Sequence, residues 1–286
     1  MIKLLYVTDL HGWQAGYRRV EQVAKREGVS AVVNGGDMLP KDHPVMAGQR
    51  EFLERFLPSH LDALAAAGVR FYGQFGNDDV HAHYGLWRGV VAAHGNAADL
   101  AERWAELGDG LIVRGVPYVP DPPFALKDWA VLDYPGFRRP RPLGPPCVST
   151  PDGFRAIADV EAFFRERPTL AGILDRLAGE APSMERAVVV AHCPPQATLL
   201  GCVYPGGTDV GSKAVLDFIE TRQPLLTLHG HIHESPDVTG HHTARLGRTT
   251  AHQPGQRGPG GGVVVLSVIT IERARHVRID RRLEAV

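Results

Sequence analysis

Five places in the chain put acidic, amide or imidazole side chains directly behind short apolar runs. Asp9-x-His11 follows residues 3–7, Asp37 follows residues 31–33 within Gly35-Gly36-Asp37, and Gly76-Asn77-Asp78-Asp79 follows residues 71–75. Further on, His192 follows residues 187–191, and His229-Gly230-His231-Ile232-His233 follows residues 225–228. Two residues apart in extended backbone, Asp9 and His11 project to the same side and can reach one ion. Taken singly, each place is also an ordinary turn or a packed histidine; five together point to a metal centre. Imidazole with carboxylate suits manganese, iron or zinc. The only cysteines are Cys147, Cys193 and Cys202, too few for a thiolate zinc site, and Cys193 beside His192 reads as a buried inert thiol.

The apolar runs read as strands and the segments between them as helices. Val20, Val23 and Ala24 recur at helical spacing in residues 17–27, which Gly28 closes. Phe52, Leu53, Phe56, Leu57, Leu61 and Leu64 do the same in residues 51–67, with a break expected at Pro58. Residues 160–177 and 212–221 also read as helices, and residues 262–271 as the final strand. Alternating strands and helices with polar strand exits predict an α/β fold, whose sites gather at the carboxyl ends of the strands. Residues 116–150, dense in proline and carrying Tyr118, Phe124, Trp129, Tyr134 and Phe137, read as a surface insertion that walls a cleft, forms a homodimer contact or simply packs as a loop. Gly258-Pro259-Gly260-Gly261-Gly262 lacks the Lys-Ser/Thr ending of a phosphate loop and reads as a turn. No repeat or linker divides the 286 residues, so one domain is expected over 1–286.

Composition narrows the partners. Lys plus Arg number 31 against 32 Asp plus Glu, so the formal charge of −1 offers no long-range attraction for nucleic acid or an anionic membrane. No apolar run approaches the roughly 20 residues of a membrane span, and the apolar start is too short for a signal peptide. The odd, small number of cysteines fits a reducing compartment, so a cytoplasmic location is expected.

The ordered set Asp9-x-His11, Gly36-Asp37, Gly76-Asn77-x-Asp79, His192 and Gly230-His231-x-His233 resembles the calcineurin-like metallophosphoesterase superfamily across residues 5–233. The runs at 191–195, 211–214 and 224–235 are similar to a prokaryotic, largely uncharacterised subgroup of it. There a Gly-x-Thr segment and an Asn-Pro-Gly follow, which this chain carries as Gly247-Arg248-Thr249 and Gln253-Pro254-Gly255. The resemblance implies a four-layer αββα sandwich of two mixed sheets flanked by helices. It also implies two divalent transition-metal ions, one held by Asp9, His11, Asp37 and His233 and the other by Asp37, Asn77, His192 and His231, with Asp37 bridging. Two such ions about 3.5–4 Å apart bring a shared water near neutral pKa, so that a bridging hydroxide attacks a small phosphate-ester substrate. Asp37, Asn77, Asp78 and His192 form the implied catalytic set.

One residue departs from the pattern. The superfamily usually has a histidine after the Asn, touching the phosphate and helping the leaving oxygen take a proton; here Asp78 stands there. An anion at that position disfavours a dianionic monoester more than a monoanionic diester, so the expectation is a phosphodiesterase; His81 and His83 just downstream read as exposed loop histidines, with surrogate acids as the alternative. A non-catalytic interaction scaffold on the same fold and a nuclease are the alternatives.

Overall fold

The computed structural model of the protein describes residues 1–272 and 276–286. The first half of the chain alternates as its periodicity predicts: β1 (Ile2–Val7), α1 (Gln14–Glu27), β2 (Ala31–Asn34), α2 (Val45–Glu51), α3 (Leu57–Ala66), β3 (Arg70–Gly73), α4 (Tyr84–Ala93) and β4 (Ala97–Asp99). Gly28 caps α1 in the left-handed conformation, with Lys25 and Arg26 in the last turn beside the helix carbonyls. Pro58 does not break its helix. It follows directly on a single wide π turn, Phe52–Phe56, through which α2 runs into α3 without interruption, so the irregular turn accommodates the proline's missing N–H inside a continuing helix.

The second half opens with β5 (Ala105–Gly108) and β6 (Leu111–Val116). The proline-rich stretch that follows is held on the fold by short strands, β7 (Val119–Pro120) paired with β8 (Ala130–Val131), and the hairpin β9 (Cys147–Thr150) with β10 (Gly153–Ala156). Buried Lys127 pairs with buried Asp121 at 2.6 Å, and the Asp128 carboxylate accepts the N–H groups of His81 and Ser149. The single helix expected over 160–177 is two, α5 (Val160–Arg165) and α6 (Leu170–Glu180). Pro168 separates them, and the Asp159 and Thr169 side chains cap their N-termini. Then come β11 (Ala187–Ala191), β12 (Cys202–Val203), β13 (Thr208–Asp209), α7 (Lys213–Arg222), β14 (Leu226–Leu228), α8 (Ser235–Thr239), β15 (Thr243–Leu246), β16 (Thr249–His252), β17 (Val263–Glu272) and β18 (His276–Ala285).

Two six-stranded mixed sheets result, ordered β18-β17-β1-β2-β3-β4 and β15-β16-β14-β11-β6-β5. The strand at 262–271 is therefore not the last: β18 pairs antiparallel with β17 along its whole length. β18 carries Arg278, Asp280, Arg281, Arg282 and Glu284 on a sheet edge, where charge discourages pairing with another chain. Glu284 pairs with Arg19 and Arg26, and Arg282 with Glu27, fastening this edge to α1.

Leu4, Tyr6 and Val33 of the first sheet pack against Val113, Val188, Val190 and Leu228 of the second. On their outer faces, α1, α3, α4 and the turn Phe52–Phe56 cover the first sheet and α6 and α7 the second, giving four layers. Polar bridges also cross between the sheets, among them the Tyr72 hydroxyl donating to the Glu106 carbonyl at 2.6 Å. Tyr6 donates its hydroxyl to the His229 carbonyl at 2.8 Å, and the Ser267 hydroxyl meets His252 Nε2 at 2.8 Å. Among the described residues no helix is long and apolar enough to cross a membrane.

Candidate metal centre

Register sets the five exits level with one another. Val7 lies beside Asn34 and Asn34 beside Gly73 in the first sheet, while Val190 lies beside Leu228 in the second, so the parallel strands end at a common edge of the sandwich. Backbone hydrogen bonds then tie the loops in pairs. Asp9 N donates to the Gly36 carbonyl at 3.0 Å and His11 N to the Asp37 carbonyl at 2.9 Å, while Gly230 N donates to the His192 carbonyl at 2.9 Å. His231 N reaches across the sheets to Asp9 Oδ1 at 3.0 Å.

The exits are strained as well as tied. Asp9, His11, Asp37 and His231 all hold positive φ, between 43° and 67°, a region costly for residues with a Cβ and concentrated at functional sites. The loops also approach closely enough to require glycine. At Gly76 a Cβ would strike the Asp37 carboxylate and lie 2.7 Å from His192 Nε2.

The structure brings all eight predicted side chains together. Ligand atoms of Asp9, His11 and His233 lie within 4.8 Å of one another, as do those of Asp9, Asp37 and His192, and those of His11, Asp37 and Asp78. His192 Nε2 is 3.4 Å from Asp37 Oδ2 and 3.2 Å from Asn77 Oδ1, and its ring centroid is 5.4 Å from that of His231. His192 donates from Nδ1 to the Gly35 carbonyl at 2.9 Å, which fixes the tautomer and leaves Nε2 to face the centre. Asp9 Oδ2 and both ring nitrogens of His11 are buried without a hydrogen-bond partner among the described residues. Buried polar atoms are normally paired, so unpartnered oxygen and imidazole nitrogen in this company fit a bound cation.

Protonation follows the same crowding. Burial pushes His11 down to about 4 and His231 to about 3, leaving both rings neutral and free to ligate. Burial would also strip His192, but the charges of Asp37 and Asp9 outweigh it and hold the metal-free ring at about 9. Asp37 is correspondingly kept far below the carboxylate range by His192, against its own burial. Burial and the neighbouring Asp37 push Asp78 up to about 7.

His81 and His83 are not in this group. The His83 ring is buried with Nε2 on the Met46 carbonyl, His81 stacks on Tyr84 and Trp129, and neither lines the cleft over the centre. The alternative that made them surrogate acids is therefore withdrawn, and His83 is buried where an exposed loop histidine was expected. Cys193 is buried, and burial raises its thiol pKa, as an inert thiol requires. The glycine-rich run contains a short 3₁₀ turn, Pro259–Gly261, just before β17.

Several supporting residues had no role assigned from sequence. Asp79 accepts the N–H groups of Leu39, Met38 and Gly76 at 2.8, 3.0 and 2.8 Å, clamping the loop after β2 to the loop after β3. Gln253 donates to the carbonyls of Gly230 and Ile232 and so holds the loop bearing His231 and His233; the Gln-Pro-Gly run was its only signal. His229 spans β11 and β14, its Nδ1 on the carbonyls of Ala191 and Cys193, and takes no part in the centre.

A cleft of about 890 Å³ opens over Asp37, Asn77, Asp78, His231 and His233. The proline-rich insertion supplies one wall with Phe124, Tyr134 and Phe137, and Val203 and Val210 stand on another; Lys41 and Arg138 bring positive charge.

The sequence matches the calcineurin-like phosphoesterase family over residues 2–235. The fold is similar to that of TT1561 from Thermus thermophilus, with a TM-score of 0.55 at 17% identity over 98% of both chains. A second solved structure is similar with a TM-score of 0.60 at 14% identity, again over 98% of both chains. No curated relative matches the chain.

Proposed function

The chain belongs to the calcineurin-like phosphoesterase family, whose members depend on a dinuclear metal centre, and from that premise we propose that it is a phosphodiesterase for a small diester bearing an apolar or aromatic group. The observation that carries the reading is the convergence of Asp9, His11, Asn77, Asp78, His192, His231 and His233 on Asp37 at the floor of the cleft. Asp9, His11, Asp37 and His233 would hold one ion and Asp37, Asn77, His192 and His231 the other. Bound divalent ions, with manganese, iron and zinc all matched to this donor set, supply an acidified water and charge neutralisation at the phosphoryl oxygens.

The chain's own groups do the rest. The Gly35 carbonyl fixes His192, and Asn77 presents Oδ1 toward His192 while its amide nitrogen holds Asp78 Oδ1 at 2.9 Å. The Asp78 carboxylate stands in the cleft where a substrate phosphate must approach. A monoester dianion meets that charge with one more negative charge than a diester monoanion, which turns preference toward diesters. The cleft volume far exceeds a phosphate, and the aromatic wall supplies apolar area for an ester substituent.

The test is the ratio of kcat/KM for bis(p-nitrophenyl) phosphate and p-nitrophenyl phosphate after manganese reconstitution. The wild type is expected to favour the diester, and Asp78→His to shift the ratio toward the monoester by about tenfold, or ~1.4 kcal/mol. Monoester preference in the wild type, or a ratio unmoved by the substitution, would contradict the reading.

A further inference from the structure

We propose that Asp78 is itself a ligand of the metal centre, joining His11 and Asp37 on one ion, an inference that rests on the dinuclear reading above. The loop geometry aims this side chain inward. Asp79 pins the turn through three backbone N–H groups, and Asp78 N donates to Asp37 Oδ1 at 2.8 Å, so the Asp78 carboxylate is one-third exposed instead of lying free in solvent. Its two oxygens are then differentiated. Oδ1 accepts the Asn77 amide at 2.9 Å, and Oδ2 stands 3.9 Å from His11 Nδ1.

That separation is too long for a hydrogen bond, and neither ring nitrogen of His11 has any other partner among the described residues. Two donors each about 2.1 Å from a shared ion lie at most about 4.2 Å apart, so the observed spacing suits a cation between them. Asp37 completes the group, with one ligand atom from each of the three residues within 4.8 Å of the others. A third carboxylate beside Asp9 and Asp37 removes one unit of positive charge from the centre. A centre so weakened attracts a dianion less than one ringed by neutral histidine, which accounts for diester preference by coordination as well as by direct repulsion.

Binding of manganese alone to the chelator-stripped full chain tests this by calorimetry and by electron paramagnetic resonance, without substrate. Wild type is expected to take up two ions. Asp78→Asn and Asp78→Ser are expected to weaken one of the two dissociation constants by at least about tenfold and leave the other within about threefold. The loss should persist in about 0.5 M KCl, because coordination is not screened as a through-space field is. Unchanged constants in either variant, or an equal loss at both ions that salt abolishes, would overturn the assignment while leaving the two-ion reading standing. Fewer than two ions in the wild type would overturn both.

Discussion

At His192 two forces oppose each other: burial expels the ring proton, while Asp37 and Asp9 retain it, and in the metal-free protein the outcome is a pKa of about 9. A folded-state value raised above the usual 6.5 means that the His192–Asp37 pair stabilises the metal-free fold fully below about pH 6.5, and that this contribution fades as pH rises through about 9. Metal affinity must run the other way, because a ligating imidazole has to surrender that proton. Manganese uptake at pH 7 is therefore expected to release about one proton from His192, with a further fraction from Asp78, whose pKa lies near 7. Calorimetry in buffers of different ionisation enthalpy counts them, and apparent affinity should strengthen with pH across that window. Zero proton release would mean that His192 is not a ligand.

Among elements, the loops after β1, β2, β3, β11 and β14 carry the chemistry, and buried polar side chains hold them in strained positions. Asp79 is the strongest clamp, since truncation strands three buried N–H groups. Asp79→Ala is expected to cost about 3 kcal/mol or more in denaturant unfolding and to weaken manganese binding, because the loops of Asp37 and Asn77 lose their common anchor. A loss below about 1 kcal/mol with unchanged binding would show that the loops hold themselves. The strands under these loops were legible because continuous apolar runs stop abruptly at Asp, Asn or His. β18 was not, since an edge strand with alternating charge offers only Val277, Ile279, Leu283 and Ala285 as apolar signal. The clamps were hidden for a related reason: Asp79, Gln253 and His229 act through backbone groups brought near only by the fold, so neither residue type nor spacing exposes them. At Pro58 the expectation failed because the wide π turn at Phe52–Phe56, which neither residue type nor spacing announces, carries the helix past the proline.

For the whole molecule, the sandwich makes the site by bringing the edges of two sheets together, and the insertion between β6 and α5 lines the cleft over it. Proline density made that stretch recognisable, whereas its short strands and buried Lys127–Asp121 pair were not. Phe137 lines the cleft from this insertion, so Phe137→Ala is expected to raise KM several-fold for p-nitrophenyl phenyl phosphate while leaving p-nitrophenyl methyl phosphate nearly unchanged. An equal effect on both would show that the wall does not contact the substituent. The central claim is that the protein is a metal-dependent phosphodiesterase in which Asp37 would serve both of two bound ions. Its most direct test measures bound manganese and bis(p-nitrophenyl) phosphate turnover on the same samples of wild type and Asp37→Asn. The predicted result is close to two ions per chain and metal-dependent turnover in the wild type, with both lost in the variant. Full turnover below one ion per chain, or a variant that binds two ions and hydrolyses normally, would contradict it.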